Sequence, residues 1–272
     1  MCEDRILAPL CPDPDIFSGY SGPDPELASY RLGIELARRH QLDNENRSLE
    51  RIAGGVLIGC ALASLTALSL DQAATASETR ELLQQIAALG PTRGAVHAVQ
   101  MTCLTGYAFS FTVLSMKLGI KRPPVLAGLI AFLFGTVMML IATVNDGFLT
   151  SAVAARFAAA PDIDLEIARD LIRFGNMSVT YFGDLAFALM GAGTALWSLT
   201  LARFGLIGRL GSLVGLITGV GSIAVIAWQP TLDMPALLGI VAGEFCFNLL
   251  VGTLLIKAPS PENERRLIER TA

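Results

Sequence analysis

The sequence predicts an all-α integral membrane protein, a compact bundle of about six transmembrane helices with short amphipathic interfacial helices. Three observations carry this. Of 272 residues, 53% are hydrophobic and only 16% charged, where a soluble domain carries about 25% charge. The apolar residues gather into runs long enough to cross a hydrocarbon core about 30 Å thick, which takes roughly 20 residues of helix. The Lys and Arg residues are shared unequally between the two ends of those runs, the asymmetry that orients membrane helices.

Residues 1–50 read as a cytoplasmic N-terminal tail. A near-repeat, "PDPDIFS" at 12–18 and "PDPELAS" at 23–29, offers two helix starts, each with Asp as cap and Pro in the first position. After Asp24, "PELASYRLGIELARRH" sets Leu27, Tyr30 and Ile34 on one face and ends in Arg38, Arg39 and His40, an order that suits the helix dipole. Such a helix is expected to lie on anionic headgroups; the rival expectation is a docking site for a cytoplasmic partner. About 50 residues are too few for a self-standing enzyme domain. The first apolar run begins only beyond residue 50, which is unlike a secretory signal peptide.

A transmembrane domain, 51–257, follows, with spans expected at about 52–70, 95–116, 124–144, 177–202, 206–228 and 235–256. A cytoplasmic tail, 258–272, closes the chain. Between the first two spans, "SETRELLQQIAALGP" predicts a short amphipathic helix capped by Ser77, with Leu82, Ile86 and Leu89 on one face and a stop at Gly90-Pro91. At "TVNDGF" the third span is expected to end, Asn145 and Asp146 meeting headgroups and Gly147 making the left-handed turn. "FLTSAVAARFAAAP" then becomes a separate interfacial helix, and "DIDLEIARDLIRFG" another, with Ile167, Leu171 and Phe174 facing one way. These short helices either cap the bundle or lie flat on the headgroups.

With both termini cytoplasmic, 15 Lys and Arg fall on the inner side and 5 on the outer, the outer ones being Arg80, Arg93, Arg156, Arg169 and Arg173. That fixes the expected orientation and places the chain in the cell (inner) membrane. Trp197 and Trp228 are expected as anchors, one near each surface. Helices in lipid associate through small residues. GxxxG spacing occurs at Gly55 and Gly59, at Gly211, Gly215 and Gly219, and at Gly239 and Gly243, with a weaker version at Gly191 and Ala195. These glycines predict tight packing within the bundle, with a homodimer as the second use.

Ionisable groups inside a span cost roughly 2.5–3.5 kcal/mol on insertion scales, so each needs a reason. Asp184 lies about 10 Å and Glu244 about 14 Å in from the outer end at the rise of an α-helix, and Asn248 shares a face with Glu244. His97 and Gln100 open the second span, Asn145 and Asp146 end the third, and Asn176 and Tyr181 open the fourth. All belong to the outer half of the bundle. Three functions fit. The leading one is translocation of protons or small solutes through an outward-facing polar cavity, because a carboxyl removed from water binds its proton more firmly, as a carrier requires. The second is a structural or regulatory membrane subunit whose carboxyls only pack and whose tail recruits a partner. The third is a metal-dependent intramembrane hydrolase built from His97, Asp146, Asp184 and Glu244. One histidine is a lean set for catalytic zinc, and no HExxH or GxSxG is present. No metal or cofactor is therefore expected. Cys2, Cys11, Cys60, Cys103 and Cys246 show no ligand spacing. A net charge of −4 carried by loops and tails gives no reason to expect nucleic acid; the lipid bilayer is the expected partner.

Overall fold

The computed structural model describes residues 25–71, 74–159, 161–228 and 234–257, and among these every regular element is helical. The helices are α1 (Pro25–Leu70), α2 (Thr79–Leu118), α3 (Pro123–Val144), α4 (Thr150–Phe157), α5 (Asp162–Phe204), α6 (Gly208–Trp228) and α7 (Met234–Ile256). A π-helical turn, Asn145–Leu149, joins α3 to α4 without a break. The chain divides into two units, Met1–Asn46 and Arg47–Ala272. In the first, the described part is helix, with Gln41 Nε2 donating to Glu45 Oε1 at 3.1 Å. Asp24, the first Asp-Pro repeat, Cys2, Cys11 and the segment 258–272 lie outside the described residues, as do the side chains of Leu27, Tyr30 and Ile34.

Among the described residues, five helices are long and apolar enough to cross a membrane: Asn44–Leu70, Pro123–Phe157, Asp164–Phe204, Arg209–Trp228 and Pro235–Ile256. They fit a multi-pass membrane protein. α2, expected to supply a span at 95–116, is not among them. His97, Gln100, Tyr107 and a series of Ser and Thr lower its hydropathy.

The short interfacial helices are not separate. α2 runs through Gly90-Pro91 without stopping, and its N-cap is Glu78 rather than Ser77. The segments expected as separate helices after Phe148 and around Asp162–Phe174 are likewise continuous with α3 and α5. The reason is packing, which overrides local propensity. Leu83 and Ile86 of α2, Ala154 of α4, and Ala168 and Ile172 of α5 form a buried cluster of their own. These three extensions cap one end of the bundle instead of lying flat. On α5, Ala168 and Ile172 point inward, while Ile167, Leu171 and Phe174 share the exposed side.

The main core gathers Phe111, Phe132, Trp197 and Phe247 with Leu57, Leu114, Val125, Leu201 and Val251. Phe111 stacks on Trp197, ring centroids 4.6 Å apart and planes 1° from parallel, and Phe132 leans on both at 4.5 and 5.3 Å. Such aromatic contacts add about 0.5–1.5 kcal/mol each beyond burial. Trp197 is thus fully buried in this core and is no surface anchor, whereas Trp228 is 88% exposed at the end of α6.

α5 packs most extensively on α3 and then on α6, and the small residues explain how closely. A Cβ on Gly219 would stand 2.7 Å from the Ala195 nitrogen, and one on Gly191 would stand 2.8 Å from the Gly219 carbonyl oxygen. Gly215 meets Phe247 and Gly243 meets Thr218 just as tightly. The other expected glycines behave differently. Gly55, Gly59 and Gly239 have nothing within 4 Å of a Cβ, and Gly211 meets only Ile207. On α1 the close contact is one residue away, where a Cβ on Gly54 would stand 2.6 Å from the Gly252 carbonyl oxygen of α7.

Candidate functional site

Asp146 enters the site because α3 does not end at it. In the π turn the Thr150 N–H reaches back to the Asn145 carbonyl, which also accepts Thr150 Oγ1 at 2.8 Å. A π turn inserts an extra residue per turn, a deviation frequent at functional sites. Gly147 is buried and helical rather than left-handed, and its missing side chain has another use. A Cβ there would lie 2.5 Å from the His97 Cβ, so only glycine lets the turn approach α2 this closely.

Across that contact stands a compact polar cluster. Arg93 Nη2 donates to Asp146 Oδ1 at 2.5 Å, and His97 Nε2 lies 3.1 Å from Asp146 Oδ2. His97 Nδ1 lies 2.8 Å from the Arg93 carbonyl oxygen, one helical turn back. That carbonyl can only accept, so Nδ1 carries a proton and donates it. The His97 side chain is 3% exposed and Asp146 29%. Asp71, which follows the last residue of α1, completes the group: one donor atom each from Asp71, His97 and Asp146 fall within 4.8 Å of one another. Asp71 Oδ1 is shielded from solvent without a hydrogen-bond partner.

This cluster borders a cavity of about 450 Å³. Asp184 of α5, Glu244 and Asn248 of α7 and Gln100 also line it, and Phe132 of the aromatic core forms part of its wall. Thr194 Oγ1 donates to both Glu244 oxygens at 3.3 and 3.4 Å. Asn248 is buried and its Oδ1 has no partner. Tyr107 donates to Ser64 Oγ at 3.1 Å on the same wall. In a low-dielectric interior an unpaired buried polar atom costs about 1–3 kcal/mol, which makes the unpartnered oxygens of Asp71 and Asn248 notable in one cavity.

Of the residues singled out in the sequence, Asp184, Glu244, Asn248, Asp146, His97 and Gln100 converge on this cavity. Two do not. Tyr181 is 68% exposed and borders a shallow surface depression with Asn176, Arg169 and Arg173, and Asn145 contributes backbone to the π turn instead of lining the cavity. Sequence reasoning missed Asp71, Arg93, Thr194 and Tyr107. Arg93 and His97 stand four apart, adjacent on one helix face, a signal that reading Gly90-Pro91 as a stop concealed. Asp71 carries no periodic signal, since it sits where a helix ends.

No protein-family model matches the chain, and neither a curated protein nor a solved structure matches it.

Proposed function

We propose that the chain is a six-span protein of the cell membrane, with both termini cytoplasmic, that moves protons or small solutes through its polar cavity. The cavity opens outward in this reading, and Asp184 and Glu244 are its coupling residues. The observation that carries the proposal is the convergence of Asp71, His97, Asp146, Asp184, Glu244 and Asn248 on one cavity of about 450 Å³ within an otherwise apolar bundle. Ionisable residues at membrane depth mark solute and proton paths when they face a shared wet interior, and the volume is that of a small-ligand site. α2 supplies the sixth span. Its lower hydropathy follows from turning His97, Gln100 and Tyr107 toward that cavity.

The test is flux. Purified protein in proteoliposomes carrying an internal pH-sensitive dye is expected to dissipate an imposed proton gradient, and Glu244→Gln and Asp184→Asn should each abolish it. Flux that survives both substitutions removes the coupling role from these carboxyls.

A second reading, a membrane subunit that binds another chain, is favoured by Gly55 and Gly59, which face outward from α1 with nothing within reach. A second copy of this chain or the helix of a partner fits such a face. Capture of a stable partner that is lost when residues 1–45 are deleted supports this reading with the tail as the recruiting element. Capture lost instead with Gly55→Ile assigns the contact to the α1 face.

A further inference from the structure

We infer that Asp71, His97 and Asp146 form a binding site for a divalent transition-metal cation, with Arg93 as the residue that positions Asp146. The site rests on the rim of the cavity and does not depend on any solute being carried.

The argument begins with the imidazole. The Nδ1 proton of His97 is committed to the Arg93 carbonyl at 2.8 Å, so a neutral ring presents a lone pair at Nε2. That lone pair faces a carboxylate oxygen, Asp146 Oδ2, only 3.1 Å away. With the ring neutral, two acceptors at this distance on a histidine buried to 3% exposure are satisfied by a cation beside them, as a second proton on the ring would otherwise do. A backbone carbonyl holding the distal ring N–H is the arrangement that orients a metal-binding histidine and strengthens it as a ligand. Donors about 2.1 Å from zinc in a tetrahedron stand about 3.4 Å apart, so the His97–Asp146 pair is already near that spacing.

Asp71 points the same way independently. Its Oδ1 is shielded from solvent and unpartnered, yet Asp71 supplies a donor atom within 4.8 Å of the other two. A modest rotation of its side chain brings a third ligand into range. Arg93 takes Asp146 Oδ1 and leaves Oδ2 facing His97 Nε2, so Asp146 would bind through one oxygen. One imidazole and two carboxylates are a nitrogen–oxygen donor set suited to Zn²⁺, Mn²⁺ or Fe²⁺. All three residues line the cavity, toward which a fourth coordination position would open.

Zinc is the probe. The full-length protein in detergent, stripped with chelator and titrated with Zn²⁺ by calorimetry, is expected to bind one ion per chain. Bound Co²⁺ should show visible d–d absorption of a low-symmetry four- or five-coordinate site. His97→Ala and Asp71→Asn should each abolish stoichiometric binding, and Arg93→Gln should weaken it about 10–100-fold. Glu244→Gln and Asp184→Asn, which lie elsewhere in the cavity, should leave affinity unchanged. Asp71→Asn is the decisive variant, because Asp71 Oδ1 has no hydrogen bond to lose and circular dichroism and gel filtration can verify folding. Absence of one-to-one binding in folded wild type overturns the site and leaves a doubly protonated His97 as what bridges the carbonyl and the carboxylate. Binding that persists undiminished in Asp71→Asn overturns the ligand set.

Discussion

Single residues decide how the cavity rim is built, and Gly147 decides most. Its buried position against the His97 ring leaves no room for a methyl group. Both the turn and α2 present backbone-anchored atoms there, so neither side yields cheaply. Gly147→Ala is expected to destabilise the protein by about 1–3 kcal/mol, the usual cost of overpacking, as measured by denaturant unfolding in detergent. It should also displace His97 from Asp146, because the added Cβ meets the imidazole first. A stability equal to wild type would show that the α2–turn contact is looser than described. Thr194 works at the same scale from another helix. Its hydroxyl donates to both oxygens of Glu244, the only hydrogen bond to that carboxyl found among the described residues.

At the scale of elements, the helix pairs are set by which small residues meet, and spacing alone does not reveal that. Gly54 and Gly252 face each other so closely that a Cβ on Gly54 would stand 2.6 Å from a backbone oxygen and 3.0 Å from the Leu255 Cβ. Gly55, one residue on, faces open space. Gly54→Ala is therefore expected to cost about 1–3 kcal/mol, while Gly55→Ala should stay within about 0.5 kcal/mol of wild type in detergent unfolding of the monomer. Equal effects would sink the assignment of the α1–α7 contact to Gly54. A large effect of Gly55→Ala seen only at high protein concentration would locate an intermolecular contact instead. The same scale explains the long helices. At 1.5 Å per residue, the 40 residues of α2 and 43 of α5 extend about 60 and 65 Å, twice a hydrocarbon core. Their excess length is stabilised by the Leu83, Ile86, Ala154, Ala168 and Ile172 cluster.

At the scale of the molecule, the proposed topology puts that cap, the Arg93–Asp146–His97 cluster and the mouth of the cavity on the outer side. The prediction is specific. Reporter domains fused after Lys257 should report the cytoplasm, and reporters inserted between Leu70 and Thr79 the opposite face. Carbonate washing should leave the protein in the membrane pellet. A reporter at 71–78 that reads cytoplasmic would invert the cavity and with it the direction of any proton path.

Much of this was legible in the residues themselves. A 53% hydrophobic composition and apolar runs of membrane length determine helices, because in lipid every backbone polar group must be satisfied within its own segment. The same rule makes Asp184 and Glu244, carboxyls within apolar runs, conspicuous, and both line the cavity. Helix ends were misread at Gly90-Pro91, at Asn145–Gly147 and after Phe148, where turn chemistry is a local signal and continuity depends on distant packing. Trp197 was misplaced for a related reason, since hydropathy cannot distinguish an aromatic that meets headgroups from one stacked on Phe111. Asp71 left no mark of its own, and the spacing of Arg93 to His97 was hidden by the reading of Gly90-Pro91 as a stop. The sequence by itself determined which segments are apolar helices and which charges are costly. Only the tertiary structure decided that α3 continues through a π turn, that Asp146 faces His97 and Asp71, and which glycines touch. Those outcomes depend on groups 20 to 200 residues apart in the chain, and no local pattern encodes their approach.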